Sequence, residues 1–495
     1  AKKQKGRTRS QLAGLQGPVV QCRLPLNAER PMSDRLRGCL QIAELRQMIT
    51  AGQIDTILAV FPDLYGRLMG KRITADFFLD YTLDDGMHAC DYLLTADMEM
   101  DVVEGYDFAN WSTGYGDVHC IPDLATLRHI TWLDRTALVV CDLWTDDHQP
   151  VPVAPRSVLR GQLQALAAAG FGAKVGTELE FYLFKDSYEE AQTKGFENLE
   201  TAGSYLEDYH ILQGTKAEAY HGTVRRQMSA SGIPVEFSKG EWGPGQHEIN
   251  LRYADALEMA DRHALYKHGC KEIAWAQDAS VSFMAKWHTD LAGSSMHLHL
   301  SLWDPDGQVN LFAGDEVIGP GQTLTASPTF RHFLGGWMHH ARALMPFYAP
   351  YPNSYKRYVH QSWAPTVLGW SRDNRTAGFR IVGEGPSLRI ECRIPGADAN
   401  PYLAIAATIA AGLDGIAHQR QPPDLFTGDV YGAAKLPRVC ATLHEAIDEL
   451  GDSQMLRSAF GDTVVEHYPH FFRTEQRKYD ESVTTWERAR YFERG

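Results

Sequence analysis

Four short segments of this chain alternate apolar and polar residues, and their polar positions are mostly carboxylates, imidazoles and guanidiniums. Successive side chains of a β-strand point to opposite faces, so parity sorts residues onto faces. In 296–303, Met296, Leu298, Leu300 and Leu302 share one face and His297, His299, Ser301 and Trp303 the other. In 387–394, Leu388, Ile390, Cys392 and Ile394 oppose Arg389, Glu391 and Arg393. In 177–184, Leu179, Phe181 and Leu183 oppose Glu178, Glu180 and Tyr182. In 246–252, Glu248, Asn250 and Arg252 fall together. Any one of these reads as an ordinary half-exposed strand. A face built only for solubility would mix in Lys, Thr and Gln, whereas these four concentrate groups that bind ions.

Clustered carboxylates repel and require a neutralising partner. Hard divalent cations supply one through oxygen ligands. Glu178, Glu180, Glu241, Glu248 and Glu391, with His297, could hold two or three such ions. Mixed Glu and His ligation suits Mg²⁺ or Mn²⁺ better than a thiolate-rich zinc site. Paired metals stabilise charge in phosphoryl transfer. Arg380, Arg389 and Arg393 add bidentate anion recognition. The residues therefore point to metal-assisted phosphoryl transfer onto an anionic substrate such as a carboxylate. The chain has no GxGxxG after a strand and no GxxxxGK[ST], so a nucleotide would be held in another way.

With 495 residues, 44% of them hydrophobic, the chain can bury a large core and predicts two to four domains. Its net charge of −14 argues against a dedicated nucleic-acid binder. Lys2, Lys3, Lys5, Arg7 and Arg9 form a local basic exception, read as part of an irregular solvated tail over 1–33. The eight scattered cysteines include no Cys-x-x-Cys pair and read as reduced thiols. No run of about 18 apolar residues suggests a membrane span, and no apolar signal core opens the sequence, so a cytoplasmic location is expected. A helix is expected over 34–50, capped by Ser33 or Asp34. Short apolar runs between 54 and 145 suit a small β-rich domain, and the Pro150, Pro152 and Pro155 cluster marks its boundary. Helices are expected over 156–169, closed by Gly170, over 402–418, and through 440–490. Residues 186–240 read as a polar insertion with a helix.

Six motifs, in order, resemble the glutamine synthetase family. Gly-Thr-Glu178-Leu-Glu180 resembles its Glu-x-Glu strand, and Glu241-Trp-Gly-Pro-Gly-Gln-His-Glu248 its loop between two metal-binding glutamates. Gly293-Ser-Ser-Met-His297-Leu-His299 resembles its Gly-Ser-Gly-Met-His-x-His strand. Asn353-Ser-Tyr-Lys-Arg357, Asn374-Arg375 with Arg380, and Arg389-Ile-Glu391-Cys-Arg393 followed by Asn400-Pro-Tyr match the remaining blocks. The resemblance is firm from about 110 to 420.

It implies an α+β fold, with a β-grasp-like domain over 34–149 and a catalytic domain over 150–495 whose curved, mostly antiparallel sheet is flanked by helices. It implies one metal on Glu180, Glu241 and Glu248 and a second on Glu178, His297 and Glu391. His299, Ser301, Arg380 and Arg389 would serve ATP, with both arginines catalytic, and Gly293, Arg357, Arg375 and Arg393 would bind glutamate. The reaction implied is phosphorylation of the glutamate γ-carboxylate, then attack by a nitrogen nucleophile. The assembly implied is a homo-oligomer, commonly a dodecamer of two hexameric rings, with active sites between neighbouring subunits. Asp91 and Asp117 are the candidates for an aspartate donated to a neighbour's site.

Three positions depart from ammonia-using members. Trp363, in Tyr358-Val-His-Gln-Ser-Trp363-Ala-Pro, stands where a glutamate helps bind and deprotonate ammonium; Ala292 replaces an asparagine, and Pro386 a lysine. A tryptophan there resembles the γ-glutamyl-amine ligases, and makes Trp363 the expected amine-binding and catalytic-loop residue. The expected activity is ATP-dependent joining of glutamate to a primary amine. The alternatives are an ammonia-using glutamine synthetase and a non-catalytic structural relative, which should have lost metal ligands; all six are present. Tyr431 lies near a tyrosine that some bacterial members adenylylate.

Overall fold

The computed structural model describes residues 36–319 and 324–495; the expected tail over 1–33 and the Ser33 or Asp34 cap lie outside them. The first sheet runs β2-β1-β5-β4-β3, from β1 (Thr56–Pro62), β2 (Leu68–Thr74), β3 (Met87–Cys90), β4 (Asp117–Ile130) and β5 (Thr136–Trp144). The two most apolar runs, TILAVFP and TALVVCDLW, are its central pair and are parallel. Strands covered on both faces lose the polar alternation, which is why these two read as continuous apolar runs.

The larger sheet draws on β6 (Gly172–Phe184), β7 (Val235–Gly240), β8 (Gln246–Leu251), β9 (Ala254–Asp255), β10 (Ser280–Ser282), β11 (Met296–Trp303), β14 (Trp370–Arg372), β15 (Phe379–Val382) and β16 (Arg389–Cys392). Between β10 and β14 in sequence, β12 (Glu316–Ile318) and β13 (Leu324–Ala326) pair as a separate ribbon. The large sheet's main path is β14-β15-β16-β11-β6-β8-β7, and every pair except β14–β15 is antiparallel. Leu179, Phe181, Leu298, Leu300 and Ile390 are buried on its apolar face. The helix Pro401–Ala417 is buried continuously from Pro401 to Gly412, as a helix apolar all round should be.

The first helix differs from expectation. It begins at Ile42, and the Gln41 N–H donates to Glu44 Oε2 at 2.8 Å. Gly38 has φ +92°, where a Cβ would lie 2.1 Å from the Ala230 carbonyl oxygen, and Cys39 bridges to Arg128. That close crossing takes 36–41 out of the helix. The 387–394 strand is shorter than expected, because Gly385–Ser387 forms a 3-10 turn ahead of β16. The helix Pro155–Ala168 is followed by Gly170 at φ +86°, and the polar insertion contains the helix Glu218–Ala230.

Arg156, at the start of the Pro155–Ala168 helix, is 2% exposed. It donates to Asp123 of β4 at 2.8 Å, to Asp142 of β5, and to Asp261 of the helix Ala256–Trp275 at 3.0 and 2.9 Å. Tyr402 donates to the same Asp261 at 2.7 Å. A buried guanidinium is tolerable only when so completely paired. Asp117 pairs with Cys90 at the end of the β3–β4 ladder, Asp91 follows directly, and neither lines the cavity described below. Among the described residues, no helix is long and apolar enough to cross a membrane.

Candidate active site

Strand register brings the ion-binding residues together. β11 pairs with β6 so that His297 faces Glu178, and with β16 so that His299 faces Glu391. β6 pairs with β8 so that Glu180 faces Glu248, and Arg380 of β15 faces Glu391. Directly opposed residues lie on one side of a sheet, so three rungs, Arg380–Glu391–His299, His297–Glu178 and Glu180–Glu248, share one face. Glu241 joins from the turn after β7.

Three triads place one ligand atom each within 4.8 Å of one another: Glu180, Glu241 and Glu248; Glu178, Glu248 and His297; and Glu178, His299 and Glu391. The first is the set expected for one metal. The second expected set, Glu178, His297 and Glu391, spans the other two triads, which share Glu178: His297 Nδ1 lies 3.0 Å from Glu178 and 3.9 Å from Glu391, and His299 Nε2 lies 3.0 Å from Glu178 Oε1. These oxygen and imidazole donors fit hard divalent cations, and Cys392 lies in the alternating apolar set of its strand, away from them.

The electrostatics agree with that fit. Burial, then the nearby Glu241 charge, pushes the Glu180 carboxyl up to about 8. Burial and the charges of Glu178 and Glu241 push Glu248 well above the usual range. Burial opposes ionisation of Glu391 too, but His299, Arg393 and His297 outweigh it and hold it at about 2. For Glu178, burial is likewise overcome by His299 and His297, and its carboxyl sits well below the ordinary value. Burial and Arg393 lower His297 to about 4, leaving a neutral imidazole able to ligate. Lys239 of β7, unanticipated from the sequence, pairs with Glu241 and lies 4.0 Å from Glu248.

A carboxyl that holds its proton to about 8 must release it to ligate a metal. Mn²⁺ affinity should therefore rise about tenfold per pH unit for each proton released, from pH 6 towards 8, and level off above. Calorimetric Mn²⁺ titration in buffers of different ionisation heat reads the released protons; a pH-independent affinity would contradict the assignment.

The polar face opens on a cavity of about 1060 Å³. Glu178, Glu180, Glu241, Glu248, His297, Gly293, Arg357, Arg375, Arg380, Arg393 and Trp363 line it, whereas Glu391, His299, Arg389 and Ser301 do not. Glu391, 0% exposed, lies beneath the wall and accepts from Arg380 at 2.7 Å and Arg393 at 2.6 Å. His299 and Arg389 touch at 3.2 Å. Ser301 accepts from the Trp303 indole at 2.9 Å. Gly293 lets Arg357 pass, since a Cβ there would meet Arg357 Cγ at 2.4 Å. Arg357 is 2% exposed and donates to Ser295 Oγ at 3.2 Å.

Trp363, in the cavity wall, has a backbone held at φ +64°, with Gln361 at +57°. Trp242, in the turn between β7 and β8, meets it with ring centroids 5.8 Å apart and planes at 64°. Tyr431 is buried and donates to the Ala364 carbonyl at 2.8 Å, so its hydroxyl anchors this loop.

This sheet-borne set of carboxylates, imidazoles and arginines over a deep cavity defines a phosphoryl-transfer ligase site in chemical kind. Residues 152–491 match the glutamine synthetase catalytic domain, and the chain belongs to that family. The chain is similar to the γ-glutamylethanolamide synthetase GlnA4 of Streptomyces coelicolor, 45% identical over 94% of this chain and 98% of that one. It is 36% identical to a glutamate–isopropylamine ligase of a Pseudomonas species, over 92% of this chain and 98% of the relative. The solved structure described as apo GmaS without ligand superposes with a TM-score of 0.79 at 28% identity, covering 91% of this chain and all of that one.

Proposed function

We propose that this chain is an ATP-dependent carbon–nitrogen ligase that joins the γ-carboxylate of glutamate to a primary organic amine, giving a γ-glutamyl amide. The observation that carries this reading is Trp363 in the wall of the cavity that Glu178, Glu180, Glu241, Glu248 and His297 also line, with Glu391 and His299 grouped behind them. The relatives named for ethanolamide and isopropylamine chemistry support it over ammonia use.

In this reading Arg357, Arg375 and Arg393, with the Gly293 backbone, hold glutamate. His299, Arg380 and Arg389 meet the ATP phosphates, with Ser301 beyond them. Two or three Mg²⁺ or Mn²⁺ ions on Glu178, Glu180, Glu241, Glu248, His297 and Glu391 would neutralise the phosphate charge. Arg380 spans Glu391 and the cavity, so it can follow charge onto the transferring phosphoryl group. The γ-glutamyl phosphate so formed is attacked by the amine nitrogen, which loses a proton as phosphate departs. At equal concentrations, ethanolamine, isopropylamine or aniline should drive phosphate release at least tenfold faster than ammonium. Ammonium winning that comparison would overturn the reading.

We also propose a two-domain division near 150 and a ring-shaped homo-oligomer, a dodecamer of two hexameric rings, in which Asp91 or Asp117 reaches a neighbour's site. Light scattering with active-site titration is the check: a fully active monomer would exclude it.

A further inference from the structure

We propose that Trp242 is a second specificity-determining residue, forming with Trp363 an aromatic wall that takes the organic substituent of a primary monoamine; this rests on the amine-ligase reading above. The two indoles come from separate loops, yet they meet edge to face 5.8 Å apart. Both line the cavity, and both stay about half exposed, at 48% and 45%. A half-open pair of large apolar rings beside a carboxylate floor is costly in water and gains when an apolar group covers it.

Trp242 follows Glu241 directly, so its Cα is one peptide, about 3.8 Å, from that of a residue in the first triad. An amine nitrogen directed at the floor therefore places its substituent against the indoles. Neither Trp242 nor Trp363 offers a charge. Lys239, which also lines the cavity, is paired with Glu241 and lies 4.8 Å from the Tyr209 ring. The carboxylates of the cavity wall, among them Asp208, Glu218 and Glu236, are not part of the indole pair, so the rings by themselves favour an apolar substituent over a charged one. The substituent this wall fits is thus uncharged: alkyl, hydroxyalkyl or aryl.

The test compares kcat/KM for methylamine, isopropylamine, aniline and putrescine in the unaltered enzyme, W242A and W242F. Trp242→Ala should lower the isopropylamine-to-methylamine ratio by about tenfold, and Trp242→Phe should recover most of it, because a ring remains. Both variants alter a half-exposed side chain, and thermal melts check the fold. An unchanged ratio in W242A, with organic amines still used by the unaltered enzyme, overturns the role of Trp242 alone. Putrescine exceeding isopropylamine in the unaltered enzyme overturns the uncharged-substituent class. Turnover of the unaltered enzyme with ammonium only overturns the parent reading, and this one with it.

Discussion

Replacing Glu391 by glutamine should lower turnover by roughly three orders of magnitude while leaving the fold intact. The carboxylate is fully buried between the Arg380 and Arg393 guanidiniums and lies 3.9 Å from His297 Nδ1. A neutral amide keeps the volume but cannot balance two guanidiniums, and it turns an N–H toward groups that are themselves donors. Arg380 would then lose one of its two carboxylate partners and be held by Asp373 alone. Phosphate release and Mn²⁺ titration of E391Q, beside a thermal melt, measure the effect. Unaltered turnover at ordinary metal concentration would remove Glu391 from the machinery.

The second large effect is expected at Trp363. Trp363→Glu should raise the ratio of ammonium to isopropylamine turnover by roughly a hundredfold, because selecting a small cation requires a carboxylate that holds it and takes its proton. The backbone there is left-handed, which costs a non-glycine residue about 1 kcal/mol whether it is tryptophan or glutamate. Trp363→Gly tolerates the same backbone and lacks both ring and charge, so it separates loss of the indole from gain of the carboxylate. Competition between ammonium and isopropylamine, followed by mass spectrometry of both amides, reads the ratio directly. A ratio that stays put in W363E would leave Trp363 without a role in amine choice.

The grouping of ion-binding residues is readable in the sequence because β6, β8, β11 and β16 alternate, so parity sorts Glu178 with Glu180, His297 with His299, and Glu391 with Arg389 and Arg393; strand register then brings these faces together. Lys239 is not readable in the same way, for a physical reason. β7 is an edge strand, and its pairing with β8 slips between Val235 and Phe237, which breaks the period that parity depends on. Trp242 was in plain sight inside a recognised motif, but a turn carries no periodicity to say which way its side chain points. The start of the first helix does not follow from local sequence, because the crossing of Gly38 over Ala230 is a contact between segments far apart in the chain. The left-handed backbone at Gln361 and Trp363 likewise left no trace in residue types.

The Arg156 cluster has a bearing on how the chain is made. Asp123 and Asp142 emerge from the ribosome before Arg156, but Asp261 and Tyr402 come far later, and at ordinary rates of synthesis roughly 10–50 s separate Arg156 from Tyr402. Until then the guanidinium and its first two aspartates have no closed interior to occupy. The Pro155–Ala168 helix must likewise wait for the Pro401–Ala417 helix that packs on it, and a chain stalled before that point leaves Arg156 without Tyr402 to fix Asp261 and the Pro155–Ala168 helix with an open apolar face.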